Sequence, residues 1–374
     1  MQTRYLPQRV FDGQTMHQNT AVVVENGKIV GLQAPTGDEV VLAGLLAPGY
    51  IDIQVNGGGG ALFNATPTEA ALQQMIKTHS QYGTTAMLPT LITDSVAVMD
   101  KAADAIARVI ADKLPGIIGV HFEGPHLSVE KRGVHSTDHI RPLTEQEKAI
   151  FARDDLGVKV VTLAPENVSC EDIKYLTEVG VKVCLGHTNA SYEQTKKALA
   201  AGADGFTHLY NAMSPFTSRE PGVVGAALED KNSWCGIIID GHHVHPAAAQ
   251  VAFDAKPKGK MILVTDAMSP VGTDATEFEL LGHHVTRTGD RLNSQTGQLA
   301  GSCLDMAAAV KNTVATTDVS LEEALRMAAL YPAEYLGLDN QLGKIAPGYQ
   351  ADLVLLDDEL GLSQCIINGN VVHC

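Results

Sequence analysis

From about residue 50 the chain settles into a rhythm that few folds accommodate. Eight short β-rich runs alternate with helical patterns: 50–55 (YIDIQV), 84–89 (TTAMLP), 117–123 (IIGVHFE), 158–163 (VKVVTL), 181–186 (VKVCLG), 205–208 (GFTH), 235–240 (CGIIID) and 261–266 (MILVTD). Several are near-continuous apolar runs, as expected of parallel strands covered on both faces. The helices between them carry readable starts. Thr66-Pro67-Thr68-Glu69 reads as a capping box with proline at the first helical position, and Ser320-Leu321-Glu322-Glu323 as another, opening one helix through "EALRMAALYPAEYLGL". The alternation predicts an α/β chain folded as a (β/α)8 barrel. An open doubly wound sheet has room for the same strands.

The two ends read differently. "AVVVENGKIVGL" is a hairpin turning at Asn26-Gly27, and "CIINGNVVHC" one turning at Asn368-Gly369. Residues 1–48 and 344–374 are expected to form one small β-sandwich domain, with the barrel occupying 49–343.

The 374 residues suffice for one large α/β domain and an appendage. A net charge of −16 argues against nucleic acid and acidic membrane surfaces as partners, so any bound anion needs a local site. Six scattered cysteines without a CxxC pair predict neither a disulfide framework nor a cysteine zinc site. The first residues lack the apolar core of a signal peptide, and no apolar run reaches the ~18 residues of a membrane span. A cytoplasmic protein is the expectation.

In a barrel, chemistry gathers at the C-terminal strand ends. There the sequence places Glu123, His187, His208 and Asp266. A glutamate and two histidines make a three-ligand set of the zinc type with a position left for water, and Asp266 is placed to take that water's proton. A lone histidine at a strand end is more often a packing residue, but a buried glutamate without partners is costly. His121 shares the face of Glu123 one step deeper and reads as a packing or supporting residue. His17, His79, His283, His284 and His373 fall in loops, helices or the outer domain and receive no role. The first strand poses a puzzle. It ends in Gln54-Val55-Asn56 before four glycines, with two amides side by side on one face.

The ordered series "PGYIDIQVNGGGG", "HFEGPHL", "GVHS", "LGHTNA", "THLYNAMSPFTSREPG", "DGHHVH", "VTDAM", "LAGSCLDM" and "LGKIAPGYQADLVLLD" resembles the amidohydrolase superfamily and, within it, the N-acetylglucosamine-6-phosphate deacetylase family, over nearly the whole length. The resemblance implies the same barrel and split β-sandwich. Most amidohydrolases carry His-x-His where this chain has Gln54 and Asn56, and neutral amides are poor ligands for a transition metal. The resemblance therefore implies one divalent metal ion per chain, held by Glu123, His187 and His208. Zinc is the first candidate, with iron, manganese and cobalt as alternatives. The amides are left to hydrogen-bond within the pocket.

It also implies hydrolysis of the acetamide of N-acetyl-D-glucosamine 6-phosphate, with Asp266 as general base and then acid. His135, which alone would read as a surface-loop residue, matches the histidine that polarises the carbonyl. Asn211, Ala212, Arg219 and His243 match the sugar and phosphate contacts, although His242 sits beside His243. Leu299, Ala300 and Gly301 are expected to line the pocket by their backbone, and Gly57 to Gly60 to give the first loop room near the ligand. The family places Arg219 in the neighbouring subunit's site, which implies a homodimer. The rivals are a cyclic-amide hydrolase of the same superfamily and a non-catalytic barrel that binds sugar phosphates.

Overall fold

The computed structural model describes residues 2–373; Met1 and Cys374, the last of the six cysteines, lie outside them. All eight anticipated strands form: Tyr50–Val55, Thr84–Ile92, Gly119–Glu123, Val158–Leu163, Val181–Leu185, Gly205–Phe206, Trp234–Ile237 and Met261–Leu263. They neighbour one another in chain order and run parallel. The first and eighth meet just beyond their C-terminal ends, where Asp266 N donates to Gln54 O and Asn56 N to Ala267 O, both at 2.9 Å. The sheet is thereby a barrel, and the open-sheet alternative falls. The strands are buried almost throughout because helices cover the outside and Tyr50, Phe122 and Phe206 help fill the core.

Helix starts follow local chemistry. Ser95, Ser169, Ser191, Asp305 and Ser320 each accept a backbone N–H in the first turn of the helix that follows. Two readings need correction. Thr68, not Thr66, caps helix Glu69–His79 by accepting from Ala71 N, so Pro67 stays outside the helix. The helix opened by Ser320 ends at Ala328, and a second runs Leu330–Leu336. Pro332 lacks the N–H that would bond the carbonyl of Ala328, so an unbroken helix would leave that acceptor empty.

Strands from both ends share one hydrogen-bonded sheet. Asn26 and Asn368 adopt φ of +50° and +49°, each followed by a glycine at +75°, as the two-residue hairpin turn demands. The two turns pack on each other: a Cβ on Gly27 would lie 2.9 Å from Asn368 O. Val22, Val24 and Ile29 near the start share one apolar cluster with Leu353, Leu355 and Ile366 near the end, so the sheet curls over itself. Among the described residues no helix is long and apolar enough to cross a membrane.

One element was not foreseen. Glu277–Leu280, His283–Thr288 and Arg291–Ser294 form a three-stranded antiparallel sheet after the eighth barrel strand, so His283 and His284 lie on a strand. Its Leu280, Val285 and Leu292 pack on Ile92 and Met268 beside the barrel's mouth.

Candidate active site

Glu123 ends the third strand, His187 and His208 follow the fifth and sixth by two residues, and Asp266 follows the eighth by three. His187, His208 and Asp266 adopt left-handed backbone, with φ of +47°, +32° and +53°. Such conformations cost about 1–3 kcal/mol each and persist where the surroundings impose them. Here they turn the three side chains over the barrel mouth.

Three atoms converge. Glu123 Oε1 lies 3.0 Å from His208 Nε2 and 3.2 Å from His187 Nε2, and the two histidine nitrogens are 3.0 Å apart. Tetrahedral ligands with bonds of about 2.0–2.1 Å stand roughly 3.3 Å from one another, so the triangle has the size of one face of a metal's coordination shell. Proton bookkeeping points the same way. His187 Nδ1 lies 2.8 Å from the carbonyl of Lys131, which can only accept. A ring carrying a single hydrogen then has it on Nδ1 and presents a bare Nε2 to a carboxylate oxygen, and two lone pairs at that range need a cation or a proton between them. Burial pushes the Glu123 carboxyl up, but hydrogen bonds and charge from His187 and His208 outweigh it and hold the group well below the usual range. The residues fit a divalent ion.

His135 joins the cluster, its ring centroid 4.4 Å from that of His187. Glu123, His135 and His187 also offer ligand atoms within 4.8 Å of one another. We favour His208 over His135 as the third ligand because its nitrogen completes the tighter triangle. Burial, then the charge of His187, lowers the His135 pKa to about 3, so the ring is neutral near pH 7. Its Nδ1 lies 2.8 Å from Thr93 Oγ1, which can donate or accept, and 3.4 Å from Thr93 N, so Thr93 holds the ring by that nitrogen and leaves Nε2 for the cavity. Burial and then the charge of Glu123 raise Asp266 to about 6.

The puzzle of the two amides resolves here. Gln54 Nε2 donates to Glu123 Oε1 at 3.2 Å, and Asn56 Nδ2 to Asp266 Oδ1 at 2.5 Å. Each amide steadies one rim carboxylate.

A cavity of about 280 Å³ opens over the cluster, lined by Glu123, His135, His187, His208 and Asp266 with Asn211, Ala212, His243, Leu299 and Gly301. Ala300, Arg219, His121 and the glycine run lie outside this lining. Ala300 is buried in the small cluster beneath the inserted sheet. Arg219 is exposed on its loop and does not line this chain's cavity. His121 is held inside the barrel between Ile53 O and Thr162 Oγ1. The glycine run serves packing rather than a ligand: a Cβ on Gly57 would lie 2.8 Å from Ser269 N, and one on Gly58 2.6 Å from the buried His79. His243 lines the cavity, whereas His242 turns to Asp290 at 2.8 Å. Sequence reasoning missed Lys131, Gln298 and Met268 on the wall and Thr93 behind His135. Lys131 and Gln298 left a signal as polar residues close to the recognised "GVHS" and "LAGSC", and Met268 closes the recognised "VTDAM".

The sequence profile of the amidohydrolase family matches residues 45–372. A relative from Shewanella sp. (strain ANA-3), an N-acetylgalactosamine-6-phosphate deacetylase, is 49% identical over 98% of this chain and 94% of its own. An N-acetylglucosamine-6-phosphate deacetylase from Haemophilus influenzae is 35% identical over 93% of both. The crystal structure of N-acetylglucosamine-6-phosphate deacetylase from Pasteurella multocida superposes with a TM-score of 0.96 at 32% identity, covering 99% of each chain. With a family match across nearly its whole length and relatives of this identity, the chain belongs to the amidohydrolase family.

Proposed function

We propose that the protein hydrolyses the acetamide of an N-acetylhexosamine 6-phosphate, releasing acetate and the free amino-sugar phosphate. The observation that carries this reading is the Glu123–His187–His208 triangle with Asp266 beside it in one cavity. Glu123, His187 and His208 hold one divalent ion, zinc first among zinc, iron, manganese and cobalt. When bound, such an ion lowers the pKa of water and polarises an amide carbonyl. Asp266, oriented by Asn56, takes the proton of the attacking water and passes it to the departing amine, which leaves poorly unless protonated. Neutral His135 donates from Nε2 to the oxyanion that develops on the carbonyl. Asn211, Ala212 and His243 contact the sugar and its phosphate, and the backbone of Leu299 and Gly301 lines the pocket.

The gluco and galacto sugars differ only at C4, away from the reacting acetamide. The names of the Haemophilus and Pasteurella proteins support N-acetylglucosamine 6-phosphate as substrate, and the higher identity of the Shewanella relative supports the galactosamine epimer as well. Acetate release measured on both epimers, against ring opening of dihydroorotate, tests the reading. Turnover of either sugar phosphate supports it. Ring opening alone favours the cyclic-amide rival, and tight binding without turnover favours the non-catalytic barrel.

Arg219 and the exposed Phe216 share a loop that projects away from the core. In a homodimer this loop carries Arg219 to the neighbouring phosphate. Arg219→Ala is then expected to raise KM for the phosphorylated sugar far more than for N-acetylglucosamine. A fully active monomer in sedimentation would refute the shared site.

A further inference from the structure

We infer that Asp240 is a positioning residue that holds the His243 ring as a hydrogen-bond donor to the substrate's phosphate. The inference rests on the reading that the cavity receives a phosphorylated amino sugar. Asp240 and His243 sit in the loop after the seventh strand, and both side chains are only 6% exposed. Asp240 Oδ1 accepts the backbone N–H of His242 and of His243, each at 2.8 Å, while Oδ2 lies 2.6 Å from His243 Nδ1. One carboxylate thus fixes the backbone and the ring together.

The contact sets the direction of the ring's other nitrogen. Burial pushes the Asp240 carboxyl up, but the His243 hydrogen bond and charge, with the two backbone N–H groups, hold it below the usual range. An ionised carboxylate only accepts, so His243 Nδ1 donates to it. With Nδ1 donating to Asp240, the ring can serve a phosphate, whose oxygens accept, only through an Nε2–H. The cavity needs such a donor because Glu123, Glu130 and Asp266 already place carboxylates on its wall. His242 is not free for the role, since its ring pairs with Asp290 at 2.8 Å on the turn of the inserted sheet.

The test is steady-state acetate release from N-acetylglucosamine 6-phosphate and from unphosphorylated N-acetylglucosamine, with inorganic phosphate as competing inhibitor. Asp240→Asn keeps an acceptor of the same shape but loses the charge. KM for the phosphorylated sugar is expected to rise about tenfold or more with kcat nearly unchanged, and phosphate inhibition to weaken in parallel. kcat/KM on the unphosphorylated sugar should stay within about threefold. Asp240→Glu, which restores the charge, should recover part of the lost affinity. In a His243→Gln background the Asp240→Asn change should cost nothing further, because the pair acts as one unit. Equal losses on both sugars, a fall in kcat at constant KM, or additive effects in the double variant would overturn the inference. If Asp240→Asn does not fold, the same cycle with Asp240→Glu decides by its additivity. A wild-type enzyme that releases acetate from neither N-acetylglucosamine 6-phosphate nor its galactosamine epimer refutes the deacetylase reading itself, a result distinct from any of these.

Discussion

The terminal sheet and the barrel rim both bury carboxylates, and they treat them in opposite ways. Asp352, beside the second hairpin turn, accepts a 2.7 Å bond from Asn368 N, and burial raises its pKa to about 6. Glu123 is more deeply buried, yet it is held ionised by two histidines. The terminal carboxylate pins a turn and needs no charge to do so. The rim carboxylate keeps its charge because its neighbours are arranged around it. Asp266 adds a further contrast within the rim, raised to about 6 where Glu123 is lowered. Two carboxylates driven apart in this way suit one to hold a cation and the other to carry a proton.

The sharpest way to break the comparison is Glu123→Gln. A neutral amide in place of the anion should empty the site of metal and lower activity by more than about 10³-fold. Elemental analysis should show the change from about one ion per wild-type chain. Two ions at full occupancy in the wild type would contradict the amide substitution at Gln54 and Asn56. Next in size, Asp266→Asn should keep the metal and KM while kcat falls roughly 10²–10⁴-fold. If Asp266→Asn instead loses the metal and Glu123→Gln retains it, ligand and base have been exchanged.

Substitutions in the terminal sheet should change stability and leave kcat alone. Gly27→Ala places a methyl 2.9 Å from Asn368 O at a φ of +75°. Chemical unfolding should show a loss of about 1–3 kcal/mol. Asp352→Asn is the smallest effect, and it has a pH signature. Because the folded pKa is raised, the stability Asp352 contributes is full below its unfolded pKa of about 4 and is lost as pH rises through about 6. Asparagine removes that loss. The variant should match wild type near pH 4 and exceed it by about 1–2 kcal/mol near pH 8. A change in kcat from either substitution would show that the two regions are coupled.

Much of this molecule was legible in the sequence by itself. The eight barrel strands, the two Asn-Gly turns and the Ser320 cap are decisions a short segment makes alone, through strand burial, left-handed backbone and a nearby hydroxyl. Glu123, His187, His208 and Asp266 could be read because a barrel collects its strand ends on one face. The three short strands within 277–294 escaped because each has a single well-buried apolar residue, too little for a periodic signal. The glycine run after the first strand looked like a ligand loop and proved to be room for His79 and Ser269. The pairing of amides with carboxylates was beyond reach of any local pattern. Gln54 meets Glu123 across 69 residues, and Asn56 meets Asp266 across 210. Local chemistry writes the elements into the sequence, but hydrogen bonds between side chains so far apart exist only once the barrel has closed and set the distances.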